Sequence, residues 1–118
     1  TPINLELACA LLEDEGMETD QAENGLIAFN KVKSNNYHLI IMDCLMPEMD
    51  GFESCESIRK WEEENRKATI PIIALTASAL SETQEKCMKA GMNDFITKPL
   101  DAMKLIEIVN KNLSQFYG

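Results

Sequence analysis

Three side chains of different chemistry each stand at the end of a short strand-like run. Asp43 closes Leu39-Ile40-Ile41-Met42, Thr76 closes Ile70-Pro71-Ile72-Ile73-Ala74-Leu75, and Lys98 follows Asp94-Phe95-Ile96-Thr97 with Pro99 behind it. A carboxylate at the end of a buried strand, facing a loop, sits where open α/β sheets place their chemistry. If the three runs are parallel strands, an acid, a hydroxyl and an ammonium converge on one edge of the sheet. Together they can hold a phosphoryl group, with the acid as in-line nucleophile and positive charge on the equatorial oxygens. Each also has a plainer reading: a turn-forming aspartate, a strand-end threonine, a surface lysine. For Asp43 the context Cys44-Leu45-Met46-Pro47-Glu48-Met49-Asp50-Gly51 favours the site. Asp50 reads instead as the cap of the helix that follows.

The elements that position these residues alternate. Thr1-Pro2 reads as an N-cap with proline at the first helical position, and Ile3, Leu7, Ala8, Leu11 and Leu12 give that helix a broad apolar face ending near Gly16. Residues 17–23 are a short, weak strand candidate. Asn24-Gly25 then turns into a helix with Ala28, Phe29 and Val32 inward, closed by Asn35-Asn36. Residues 38–43 have four successive apolar positions, as a strand covered on both faces requires, which puts them in the sheet centre. Phe52, Cys55, Ile58 and Arg59 mark a helix running into Glu62-Glu63-Glu64, read as a solvated end. A strand over 70–76, a helix over 81–90 with Cys87 and Met88 inward and Gly91 at its C-cap, and a strand over 92–97 follow. Ala102, Ile106, Val109, Leu113 and Phe116 recur at helical spacing and close the chain. Right-handed crossovers build such an alternation into a parallel sheet with helices on both faces.

Composition bounds the reading. The 118 residues suit one domain spanning 1–118, and 45% apolar content is too high for a disordered tail. No apolar run reaches the length of a membrane span, so membrane contact is not expected. With 20 acids against 11 bases, net charge −9, most of the surface repels a nucleic-acid backbone, and direct nucleic-acid binding is not expected. Cys9, Cys44, Cys55 and Cys87 lack Cys-x-x-Cys spacing and His38 is the only histidine, so they read as free thiols of a cytoplasmic domain rather than as a zinc site.

The run from Asp43 to Gly51 (the pattern D-x-x-M-P-x-M-D-G), Ala74-Leu75-Thr76-Ala77, and Lys98-Pro99 come in the order and spacing of a known family. In these motifs the chain resembles the receiver domain of two-component response regulators. The resemblance covers nearly the whole chain and implies a flavodoxin-like (CheY-like) sheet of strand order 2-1-3-4-5. It implies Asp43 as phosphoacceptor, Thr76 and Lys98 as groups that hold the phosphoryl, and Thr76 with Phe95 as the switch pair. It further implies a cis Lys98-Pro99 bond, and Mg²⁺ on Asp43 and the backbone carbonyl of Leu45. The implied partner is a histidine kinase or a histidine phosphotransfer protein. Pro2-Ile3-Asn4 followed by Leu-Glu-Leu resembles the receivers of hybrid sensor kinases.

One departure bears on the metal. The family begins with a strand ending in adjacent acids, and this sequence starts with the segment that follows them. Glu13-Asp14-Glu15 falls at a helix end far from Asp43 and reads as solvated. Mg²⁺ binding is therefore expected to be weak. The missing strand lies between the second and third, and its loss leaves unpaired backbone groups costing about 1–3 kcal/mol each where buried. A shortened chain, or a strand supplied by a second copy in a homodimer, resolves this.

Two other classes compete. A pseudo-receiver would keep the fold as an interaction module without a working metal site. An enzyme on a similar sheet, such as an aspartate-nucleophile phosphatase, wants a second Asp two residues after the first, where this chain has Leu45, and no Gly-rich loop supports a cofactor. The receiver is not expected to be a turnover enzyme by itself. With apolar Leu45 and Ser78 two residues after Asp43 and Thr76, its phosphoform is expected to persist.

Overall fold

The computed structural model describes residues 5–46 and 48–118. Among the described residues two consecutive helices precede three strands, each of which is followed by a helix: α1 Leu5–Asp14, α2 Gly25–Ser34, β1 Ile40–Asp43, α3 Gly51–Glu64, β2 Ile72–Thr76, α4 Ser81–Ala90, β3 Asp94–Thr97 and α5 Ala102–Tyr117. The Thr1-Pro2 cap lies outside the described residues. All pairings are parallel and the order is β1-β2-β3.

The period of two along each strand sends neighbouring residues to opposite faces and builds two cores. On one face Met42, Ile72 and Ala74 pack with Val32 of α2, Phe52, Cys55 and Ile58 of α3, and Cys87 and Ala90 of α4. On the other, Ile73 and Ile96 pack with Ala8 and Leu12 of α1 and with Leu105 and Val109 of α5. Ile72 and Ile73 are fully buried, each side chain contributing roughly 1.5–3 kcal/mol. Among the described residues no helix is long and apolar enough to cross a membrane.

Sequence termination signals act where they stand. Asn24, Asp50 and Asp101 cap α2, α3 and α5 through their side-chain oxygens. Gly91 ends α4 in the left-handed conformation at φ 100°, and a side chain there would strike Arg59.

Several expectations need correction. Residues 17–23 form no strand: they run as coil, with Met17 packed on the α1–α5 core and Asp20 bonded to Tyr37 and Lys31. A strand needs a neighbour to pair with, and none of the described residues lies alongside to supply one. For the same reason β1 is an edge of the described sheet and β2 is its centre; Ile40 and Ile41 are only half-buried.

Helix faces also shift. Met88 is exposed at 62%, because Cys87 and Ala90 carry the α4 contact. The inner face of α5 is Leu105, Val109 and Asn112, which leaves Ile106 half-buried and Phe116 exposed. In α1, Ala8 and Leu12 are buried while Leu7 is exposed. Glu63 and Glu64 are solvated, but Glu62 is 3% exposed. Its carboxylate meets Arg59 at 2.8 Å and accepts the Ile70 N–H at 2.8 Å. Arg59 donates further to Gly91 O, Ile70 O and Asn93 Oδ1, and so joins α3 to the entries of β2 and β3.

Candidate functional site

The site lies at the carboxyl ends of the strands. Register pairs Asp43 with Leu75 and Thr76 with Thr97, so the acid, the hydroxyl and the residue before Lys98 reach one edge together. Two backbone bonds extend the ladder past the strands: Cys44 N–H donates to Leu75 O at 3.0 Å and Lys98 N–H to Thr76 O at 2.7 Å.

Lys98 Nζ stands 2.7 Å from Asp43 Oδ2, a charge-assisted hydrogen bond between side chains 36% and 31% exposed. The other carboxylate oxygen, Oδ1, accepts the Leu45 N–H at 3.0 Å. Both oxygens of the acid are thus held, yet both side chains remain open to solvent. The Lys98-Pro99 bond is cis, as the motif implied.

Thr76 is 5% exposed, and its hydroxyl is turned to its own loop: Oγ1 accepts the Ser78 N–H at 3.2 Å and donates to Ser78 O at 3.3 Å. It shares the strand edge with Asp43 without bonding to it. Phe95 is half-buried, packed against the core that holds Ala74 and Cys87. It also lines a groove with Lys104, Glu107 and Lys111. Leu45 has a 76% exposed side chain. His38 is an exposed bend residue at the opposite end of β1, where it meets the Tyr117 ring.

Cys44 is a nucleophile by type, one residue from the acid, but it is buried. Burial first, and then the neighbouring Cys87 thiol, push its pKa up to about 12. It stays a protonated core thiol. Among the described residues no group of three or more His, Cys, Asp or Glu side chains is gathered for a metal.

Sequence reasoning overlooked two residues that hold the acid's loop. Gly25 N–H donates to Met49 O at 3.0 Å, and the fully buried Ser54 hydroxyl donates to Gly25 O at 2.8 Å. Asn24-Gly25 was legible as a turn into a helix; nothing local in the sequence points from there to residue 49.

A parallel sheet flanked by helices on both faces, with an Asp–Lys pair at its carboxyl edge, defines a CheY-like receiver fold. Residues 1–110 match the response regulator receiver domain, and the chain belongs to that family. It is 41% identical over 110 residues, 93% of this chain, to the sensor protein GacS of Pseudomonas syringae. It is 40% identical over 121 residues, 95% of this chain, to hybrid signal transduction histidine kinase B of Dictyostelium discoideum. The chain spans only 12% of the first protein and 6% of the second. Among solved structures, the receiver domain of sensor histidine kinase PA1611 from Pseudomonas aeruginosa is 35% identical with a TM-score of 0.77. That match covers 89% of this chain and 84% of that one, and that structure has a magnesium ion coordinated in its active site cleft.

Proposed function

We propose that this domain takes a phosphoryl group from a phosphohistidine onto Asp43, as one step of a phosphorelay within or beside a hybrid histidine kinase. The observation that carries the reading is the 2.7 Å contact between Lys98 Nζ and Asp43 Oδ2, made across strands at a solvent-open edge. A carboxylate oxygen of Asp43 forms the new bond to phosphorus as the bond to the imidazole nitrogen breaks, the electron pair of that bond stays on the nitrogen, and the ring takes a proton from solvent to leave as neutral imidazole. Lys98 transfers its contact to a phosphoryl oxygen and neutralises charge there. Thr76 releases Ser78 and donates its hydroxyl to a second oxygen. Phe95, packed beside that strand, changes rotamer into the room Thr76 vacates and alters the surface presented to the partner, a histidine kinase or a histidine phosphotransfer protein. These exchanges belong to the cytoplasmic side of a sensor protein.

The residues of this chain that would hold Mg²⁺ are Asp43, through its carboxylate, and Leu45, through its backbone carbonyl, with water among the remaining octahedral ligands. When bound, the ion would offset the repulsion between the carboxylate and the incoming phosphate. Leu45 carries no group that orients an attacking water, which favours a long-lived acyl phosphate.

Incubation with acetyl phosphate and Mg²⁺, read by intact-protein mass and peptide mapping, tests the reading. The expected result is one phosphoryl group, at Asp43, lost completely in Asp43→Asn. A wild-type chain that gains none, or that gains it elsewhere, ends the proposal.

A further inference from the structure

The loop that follows Asp43 is closed on itself at both ends. Leu45 N–H binds the acid at 3.0 Å, and Gly51 N–H donates to Cys44 O at 3.1 Å. Within the loop Glu48 stands at φ 67°, a conformation that a residue with a side chain keeps only when its surroundings impose it. The residue beside it is held by a contact from another element. Gly25 is the first residue of α2, so its N–H has no acceptor within the helix, and it donates to Met49 O instead. The approach is so close that a Cβ on Gly25 would run into that carbonyl. From behind, the Ser54 hydroxyl, buried within α3, grips Gly25 O.

A hydroxyl at a fully buried position carries a desolvation cost that a methyl group would avoid, and what it adds is direction. We propose that Ser54 and Gly25 are positioning residues for phosphoryl transfer at Asp43: the bonds Ser54–Gly25–Met49 hold the Met49 end of the loop whose other end carries the Leu45 N–H that aims the carboxylate. The inference rests on the phosphoacceptor reading above. Neither residue touches the reacting atoms. Their contribution is to rate, through orientation.

The experiment compares Ser54→Ala, Gly25→Ala and Cys55→Ala in the full chain. Cys55 is a fully buried neighbour in α3 outside the clamp, and serves as the purely structural truncation. Thermal midpoint, hydrogen exchange at the Leu45 amide, and the rate of Asp43 phosphorylation by acetyl phosphate with Mg²⁺ are measured for each. Ser54→Ala is expected to slow phosphorylation about tenfold and to speed Leu45 exchange, as a misaimed reactive group should. Cys55→Ala is expected to lower the midpoint and leave both other readouts at wild-type values. Gly25→Ala reaches the same loop by a different route and is expected to act like Ser54→Ala. If Ser54→Ala phosphorylates at the wild-type rate, or if Cys55→Ala slows it equally, the clamp is overturned while the acceptor reading stands. A wild-type chain that is not phosphorylated at all overturns both.

Discussion

Lys98 offers Asp43 a counter-ion before any phosphoryl group arrives. A partly exposed pair of this kind adds little to stability, typically below about 1 kcal/mol, and in the proposed transfer its value lies in placing an amine where negative charge would develop. Lys98→Ala is accordingly expected to leave the thermal midpoint nearly unchanged while lowering the phosphorylation rate on the order of 10²-fold. A stopped assay with acetyl phosphate measures the rate, and a melt measures the rest; equal rates in the two proteins would remove Lys98 from the site. At this scale the sequence was informative. Asp43 and Lys98 could be paired because each closes a strand-like segment and sits in a recognisable motif. The Gly25–Met49 contact could not, because the glycine that so close an approach requires reads in the sequence only as a turn residue.

The elements show where periodicity suffices and where it fails. Helix starts were readable at Asp50 and at Asn24-Gly25, since Asn24 and Asp50 carry the oxygens that satisfy first-turn N–H groups; Asp101 caps α5 in the same way and was not singled out. Met88 was misassigned because a helical apolar stripe is wider than the surface available to cover it. Glu62 was misassigned because a run of three acids looks uniform, although only one of them faces Arg59. The Arg59–Glu62 pair yields a prediction at this scale. Arg59→Ala leaves a 3% exposed carboxylate without its cation, and takes the side-chain donor from the carbonyls of Ile70 and Gly91, while Asn93 Oδ1 keeps the Ile72 N–H. The expected loss is about 3–5 kcal/mol by urea unfolding. Replacing both, Arg59→Met with Glu62→Leu, is expected to recover part of it. A loss no greater than that of an exposed surface pair would show the network to be slack.

Over the whole molecule, the coil of residues 17–23 is tied down by electrostatics where a strand was expected. Asp20 accepts from Lys31 at 2.8 Å and from the Tyr37 hydroxyl at 2.6 Å. The Lys31 and Tyr37 hydrogen bonds hold its pKa at about 2, below the ordinary 3.8. Burial and the Asp20 bond push Tyr37 up to about 12 from 10. A lowered carboxylate contributes stability above its unfolded value and loses it as pH falls through the folded one, here between about 3.8 and 2. A raised phenol loses its contribution as pH climbs from 10 toward 12. Melting across pH should therefore fall off at both limits, and Asp20→Asn should shallow the acid limb. An unchanged acid limb would mean the tether adds nothing.

The strands bearing the site are only four, five and four residues long. A single residue inserted within one of them would reverse every inward-facing position beyond it and carry its terminal group off the edge. Residues added to the intervening crossovers would change only the path between strands. Length changes that leave the edge intact are thus expected in those crossovers alone, and a deletion scan through residues 40–43, 72–76 and 94–97 would mark the edges of what the chain tolerates.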